Sequence, residues 1–210
     1  MKIDVIDLSK KFKNISVLNN INLTMESGNI YGLYGKNGSG KSVFLKLICG
    51  FYFPTTGKIL FDGKELNKEL DYPPSLRALI EKPSFFPDLT GLENLKLLAD
   101  IQNKISNDDI KRALEIVNLS EDKDKKYSKY SLGMKQKLGI AQVIMEDVEI
   151  IILDEPFNGI EDETVTKIME YLKKERDKGK IIIISSHIKE DLLFLTNKIF
   201  YFDNGTIYEK

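Results

Sequence analysis

Scarce residues limit this chain before abundant ones define it. Its 210 residues include one cysteine, Cys49, and one histidine, His187. A single thiol cannot close an internal disulfide, which suits a reducing compartment, and Cys49 is expected to be a small core side chain. One histidine with no second His or Cys beside it gives no basis for a His/Cys metal centre. Charge of one sign is missing too: 31 Lys and Arg stand against 32 Asp and Glu, a formal net charge of −1. That balance suggests neither a nucleic-acid tail nor a polybasic membrane anchor, and no nucleic-acid partner is expected. Arginine is confined to Arg77, Arg112 and Arg176. No apolar run approaches the ~18 residues needed to cross a bilayer. Met1-Lys2-Ile3-Asp4 carries no apolar signal region. The chain is therefore expected to be soluble by itself, with any membrane role resting on another subunit. Its length suits a single domain with a full core, and no internal repeat is visible.

What is present begins with Gly35-Lys36-Asn37-Gly38-Ser39-Gly40-Lys41-Ser42. This run fits G-x-x-x-x-G-K-[ST], the pattern of a phosphate-binding loop. Its setting fits as well: residues 30–34 read as a buried strand before it, and 43–48 as a helix after it. A polyphosphate needs several N–H donors converging on one point. Backbone amides supply them only where no Cβ intrudes, hence Gly35, Gly38 and Gly40. The following helix adds free N–H groups and the positive end of its dipole. Lys41 can reach terminal phosphates, and the Ser42 hydroxyl can ligate Mg²⁺.

The rest of the chain alternates strands and helices. Residues 3–8, 21–25, 59–61 and 76–80 read as strands, and the prolines flanking 76–80 make 71–91 mostly loop. Leu92, Leu95 and Leu98 lie at helical spacing, as do Ile110, Leu114 and Val117. The charge run 121–126 reads as a solvated loop. Helix is expected again at 138–145 and 162–176, buried strands at 150–153 and 181–184, and a closing hairpin across Asp203-Asn204-Gly205. Fully apolar strands separated by helices imply an α/β fold with a parallel sheet covered on both faces. The helical stretch at about 84–145 reads as a subdomain inserted into that core.

Acidic residues close one of the apolar strands. Asp154 and Glu155 follow Ile150-Ile151-Ile152-Leu153. Ligands of α/β sheets sit at the carboxyl ends of strands, so both carboxylates fall beside the phosphate loop if the two strands are neighbours. Asp154 can then hold Mg²⁺, and Glu155 can polarise or position a water for attack on a γ-phosphate. His187 also follows a buried strand, where a further γ-phosphate contact is wanted.

Taken together, these residues resemble the ATP-binding subunit of an ABC transporter over essentially the whole length. Gly35–Ser42 matches Walker A, 150–155 matches Walker B with its catalytic glutamate, and His187 matches the switch histidine. Tyr130-Ser131-Leu132-Gly133-Met134 looks like a variant of the LSGGQ signature, and Phe12 falls where the family places an aromatic that stacks on adenine. The resemblance implies a P-loop NTPase core with a parallel sheet, an N-terminal antiparallel β-subdomain and an inserted α-helical subdomain, in one domain over 1–210. It implies ATP and Mg²⁺ as ligands, with Glu155, His187, Lys41 and Glu81 in catalysis. Phe12, Gly35, Asn37, Gly38, Ser39, Gly40, Lys41, Ser42, Val43, Ser131 and Gly133 would bind nucleotide, and Ser42, Asp154 and Glu81 would serve the metal. Two chains packed head to tail would sandwich two ATPs, Ser131 and Gly133 of one chain completing the site of the other. A membrane-spanning permease would hold the pair at the inner face of the cell membrane, on the cytoplasmic side.

The departures from the family pattern are specific. Val43 replaces a second hydroxyl residue, Leu132 a signature glycine, Met134 its glutamine, and Glu161 an aspartate. Glu81 stands where a glutamine usually links Mg²⁺ and water to the membrane partner. Residues 79–87 and 130–137 are similar to ATPases of peptide-antibiotic exporters, including bacitracin-resistance and lantibiotic-immunity systems. Phe85 and Phe86 are open to two readings, core packing or a groove for a permease helix. The alternative function is a soluble non-transport ABC-type ATPase for cluster assembly or repair. A third reading is a nucleotide-switched structural subunit with little hydrolysis: an intact Glu155 argues against it, and Glu81 and Leu132 leave it open.

Overall fold

The computed structural model describes residues 1–209. Two compact units emerge: Met1–Ile80 with Val148–Glu155 and the chain from Lys173 on, and Glu81–Asp147 with Pro156–Leu172.

The first unit contains two sheets. One is antiparallel, in the order β2-β1-β4-β5, from β1 (Lys2–Phe12), β2 (Ile15–Glu26), β4 (Thr56–Phe61) and the short β5 (Lys64–Glu65). Strand alternation is clear in β2: Ile21, Leu23 and Met25 are buried, while Asn22, Thr24 and Glu26 between them are exposed. A residue period of two places one face on a core and the other in solvent. The other sheet has the order β10-β9-β3-β8-β7-β6. Here β3 (Asn29–Tyr34), β6 (Leu76–Leu79), β7 (Ile150–Asp154), β8 (Ile181–Ser186) and β9 (Lys198–Asp203) run parallel. Only β10 (Thr206–Glu209) pairs antiparallel, through the Asp203–Gly205 turn. Every residue of β7 and β8 is buried. Such strands have no solvent face, which is why their sequence is a run of isoleucines rather than an alternation. Helix α1 (Lys41–Ile48) contributes Phe44, Leu45, Leu47 and Ile48 to the same core, and Cys49 follows them into it.

Charge inside this unit is paired. Glu175, buried, takes Lys178 at 2.6 Å and also the buried Lys180. Burial alone would raise the Glu175 pKa, but the hydrogen bonds from both lysines outweigh it and hold the carboxyl below its usual range.

The second unit is helical. Helices α2 (Gly91–Gln102), α3 (Asn107–Ile116) and α4 (Leu132–Ile144) pack around Leu95, Ile110, Leu114 and Leu138. Capping boxes start two of them: Thr90 with Glu93, and Ser106 with Asp109. The start of α5 (Asp162–Asp177) also belongs here. Asn94, buried in α2, ties down the proline-rich loop by accepting from Phe86 N at 2.9 Å and donating to Phe86 O at 3.1 Å.

The expected strands and helices are present, but β1 and β2 run well beyond the 3–8 and 21–25 expected for them, and α4 begins at Leu132 rather than at 138. The loop expected at 121–126 begins with a 3₁₀ turn over Ser120–Asp122. The five-residue α6 (Lys189–Leu193) was not predicted, because five residues are too few to display a helical period.

Candidate functional site

The phosphate-loop sequence lies between β3 and α1, as its pattern requires. Gly40 caps α1 with φ of 105°, a conformation strained for any L side chain. Space is tight there too: a Cβ would come within 2.8 Å of Leu18 Cδ2 and 3.1 Å of Val17 O. Ser39 Oγ is buried with no hydrogen-bond partner among the described residues. A buried hydroxyl left in this state costs free energy, so a bound acceptor such as a phosphate oxygen would satisfy it. Asn37 and Gly38 lie exposed at the loop's tip, and an open cleft of about 500 Å³ runs between the loop, His187 and Tyr201.

The sheet order corrects one expectation. The strands carrying the phosphate loop and the acids are not neighbours: β8 stands between β3 and β7. The groups still meet, because all three strands end at the same edge and Asp154 lies opposite Ser185 of β8. Lys41, 5% exposed, donates from Nζ to Gly35 O at 2.6 Å and faces Glu155 Oε1 at 3.5 Å. The other carboxylate oxygen of Glu155 meets His187 Nδ1 at 2.7 Å. Lys41, Glu155 and His187 thus form one continuous polar chain.

Ser185 is the residue that sequence reasoning missed. Its hydroxyl donates to Asp154 Oδ1 and accepts from Glu155 N at 3.0 Å. Glu155 N also bonds Ser185 O at 3.2 Å. One buried side chain therefore orients both acids, and it holds Glu155 at φ of 48°, a left-handed conformation unusual for glutamate. The signal in the sequence was a polar residue ending an otherwise apolar buried strand.

Other candidates take varied positions. Ser42 and Val43 are half-buried in the first turn of α1, and Val43 packs against the core. Phe12 ends β1, 37% exposed, in a T-shaped contact with Tyr52 at 5.3 Å and under the Lys10 ammonium at 4.8 Å. In the helical unit, Ser131 caps α4 by accepting from Met134 N at 3.1 Å. Leu132, in place of a signature glycine, leaves its side chain exposed. A hydrogen bond from the buried Lys137 holds the Glu161 carboxyl below its usual range. Glu81 is exposed, with φ of 64°. Phe85 and Phe86 part ways: Phe85 is half-buried against Tyr127 at 5.3 Å, while Phe86 is exposed and lines a shallow groove with Pro87, Leu89 and Leu97.

Comparison with known proteins follows the same lines. The sequence profile described as "ABC transporter" matches residues 18–158. An uncharacterised ABC transporter ATP-binding protein of Bacillus subtilis, YybJ, is 40% identical over 98% of this chain and 94% of its own length. The bacitracin transport ATP-binding protein BcrA of Enterococcus faecalis is 38% identical over 99% of this chain, which spans 68% of that relative. Among solved structures, an ATP-binding subunit of an ABC transporter superposes with a TM-score of 0.87 at 27% identity, covering 99% of this chain and 88% of that one.

Proposed function

This chain belongs to the ABC transporter family as an ATP-hydrolysing, ATP-binding subunit that energises a membrane permease, and on that premise we propose that the permease exports a peptide antibiotic. The export class is supported by BcrA, whose name states bacitracin transport, and by a lantibiotic transport ATP-binding protein of Streptococcus pyogenes, SrtF, 32% identical over 97% of this chain. No helix among the described residues is long and apolar enough to cross a membrane. We assign the chain a cytoplasmic position at the inner face of the membrane, held there by the permease.

The observation that carries the catalytic reading is the chain of contacts from Lys41 through Glu155 to His187. Lys41 Nζ donates to the carbonyl of Gly35 and faces the carboxylate of Glu155. Phosphate oxygens placed in the loop compete for that ammonium and for Ser39 Oγ. Glu155 is then released to accept a hydrogen bond from the attacking water, while His187 steadies its other oxygen. The Ser42 hydroxyl and the Asp154 carboxylate are the hard oxygen donors that would hold Mg²⁺ beside a nucleotide's phosphates. When bound, the ion neutralises charge on the phosphate oxygens. By their places in the family pattern, Glu81 would add a carboxylate for the metal and Phe12 would offer its ring to adenine, while the backbone of Asn37, Gly38 and Gly40 would supply amides. Ser131 and Gly133 serve the nucleotide of a facing copy in a head-to-tail dimer.

Glu155→Gln tests the assignment. It keeps the side chain's length and removes the base, so ATP binding should persist while turnover falls by about 10²-fold or more. Nucleotide-loaded dimers should accumulate in gel filtration. Turnover at the wild-type rate in this variant would sink the role given to Glu155.

A further inference from the structure

The first turns of α4 and the loop 156–161 touch at three points, all within the helical unit. A Cβ on Gly133 would run into the Gly159 carbonyl oxygen. Gln136 Nε2 donates to Pro156 O at 3.2 Å. Lys137 Nζ meets Glu161 Oε2 at 2.7 Å, with the lysine side chain 6% exposed and the glutamate 70% exposed. The third contact differs from the others in kind. A buried ammonium has shed its water and needs a hydrogen-bond acceptor within reach. Lys137 is fixed inside, so the distance must be closed from the loop side. Glutamate closes it; aspartate, about 1.5 Å shorter, would leave the ammonium outside hydrogen-bond range unless the loop moved inward. Inward movement is blocked, because the Gly133–Gly159 backbones already meet at a spacing that admits no side chain.

We propose that Lys137 and Glu161 form a strut whose length sets the spacing between the N-terminus of α4 and the loop 156–161. Both are positioning residues: they act through Ser131 and Gly133 at one end and through the loop that follows Glu155 at the other. The glutamate at 161 is the length that this lysine requires. Reach, rather than charge alone, is what the pair supplies. The inference rests on the reading above, in which Ser131 and Gly133 face the nucleotide of a second copy.

The test compares ATP turnover of the full chain with Glu161→Asp and Glu161→Gln. The first keeps charge and loses reach; the second keeps reach and an acceptor oxygen but loses charge. Glu161→Asp should lower kcat about tenfold with KM for ATP within about twofold, because binding to the phosphate loop is untouched. Glu161→Gln should stay within about threefold of wild type in kcat. Wild-type kcat in Glu161→Asp overturns the strut. So does a Glu161→Gln variant slower than Glu161→Asp, which would make charge the requirement, or a loss confined to KM. Glu155→Gln run in parallel separates the two levels: if that variant hydrolyses ATP normally, the reading of the site has failed, whatever the ranking at position 161.

Discussion

Ser185→Ala should damage this protein more than the loss of one small hydroxyl suggests. Ser185 is fully buried, and its Oγ serves two partners, donating to the Asp154 carboxylate and accepting from Glu155 N–H. A hydrogen bond to a charged group contributes about 1.5–3 kcal/mol, and a neutral one about 1 kcal/mol. Glu155 N–H keeps a second acceptor in Ser185 O at 3.2 Å, so its share is small. Asp154 is itself only 6% exposed, and water cannot easily replace the lost donor. The expected cost is about 2–3 kcal/mol, or roughly 5–10 °C in melting temperature for a chain of this size. Urea denaturation without nucleotide measures it as a lower midpoint at unchanged slope. Turnover should also fall, about tenfold, since both acids lose their common anchor and Glu155 is freed from its left-handed backbone. A stability change below about 0.5 kcal/mol would refute the accounting. A full stability loss with wild-type turnover would refute the claim that Ser185 orients the acids.

Two further outcomes follow from burial and exposure. Burial pushes the Cys49 thiol from its usual 9.0 up to about 12. Above pH 9 the unfolded chain loses that proton while the folded chain keeps it, so stability falls as pH rises from about 9 towards 12. Urea midpoints at about pH 8 and about pH 10.5 should show the decline, and Cys49→Ala should flatten it; an identical slope in the variant would remove Cys49 as its source. Phe86→Ala should change stability by less than about 0.5 kcal/mol, because the side chain is exposed, yet weaken co-purification with the permease. Unchanged recovery of the permease would show that this groove is not its docking surface.

Much of this architecture was legible before any coordinates. The switch from alternation in β2 to unbroken isoleucine in β7 and β8 separates a half-exposed antiparallel sheet from a buried parallel one. The phosphate loop was legible because its residue types follow from local needs, open backbone and a lysine, at fixed spacing. Phe85 and Phe86 were not separable in sequence. Neighbours in a loop share composition and differ only in which one finds Tyr127. Helix α6 and β5 were too short to carry a period.

The sequence by itself determined the chemistry: which groups can hold a phosphate, which can polarise water, and which strands must be buried on both faces. These are properties of residue type and spacing along one chain, and they survive whatever the fold does with them. Strand order was decided only in three dimensions. Nothing in the local pattern says that β8 inserts between β3 and β7, yet that insertion brings Ser185 against Asp154 and Glu155 across 31 and 30 positions of sequence. The same holds for Lys137 and Glu161. The sequence shows Glu161 as a longer acid in place of an aspartate and Lys137 as part of the signature stretch, but only packing shows that the two meet, one buried and the other spanning the remaining distance.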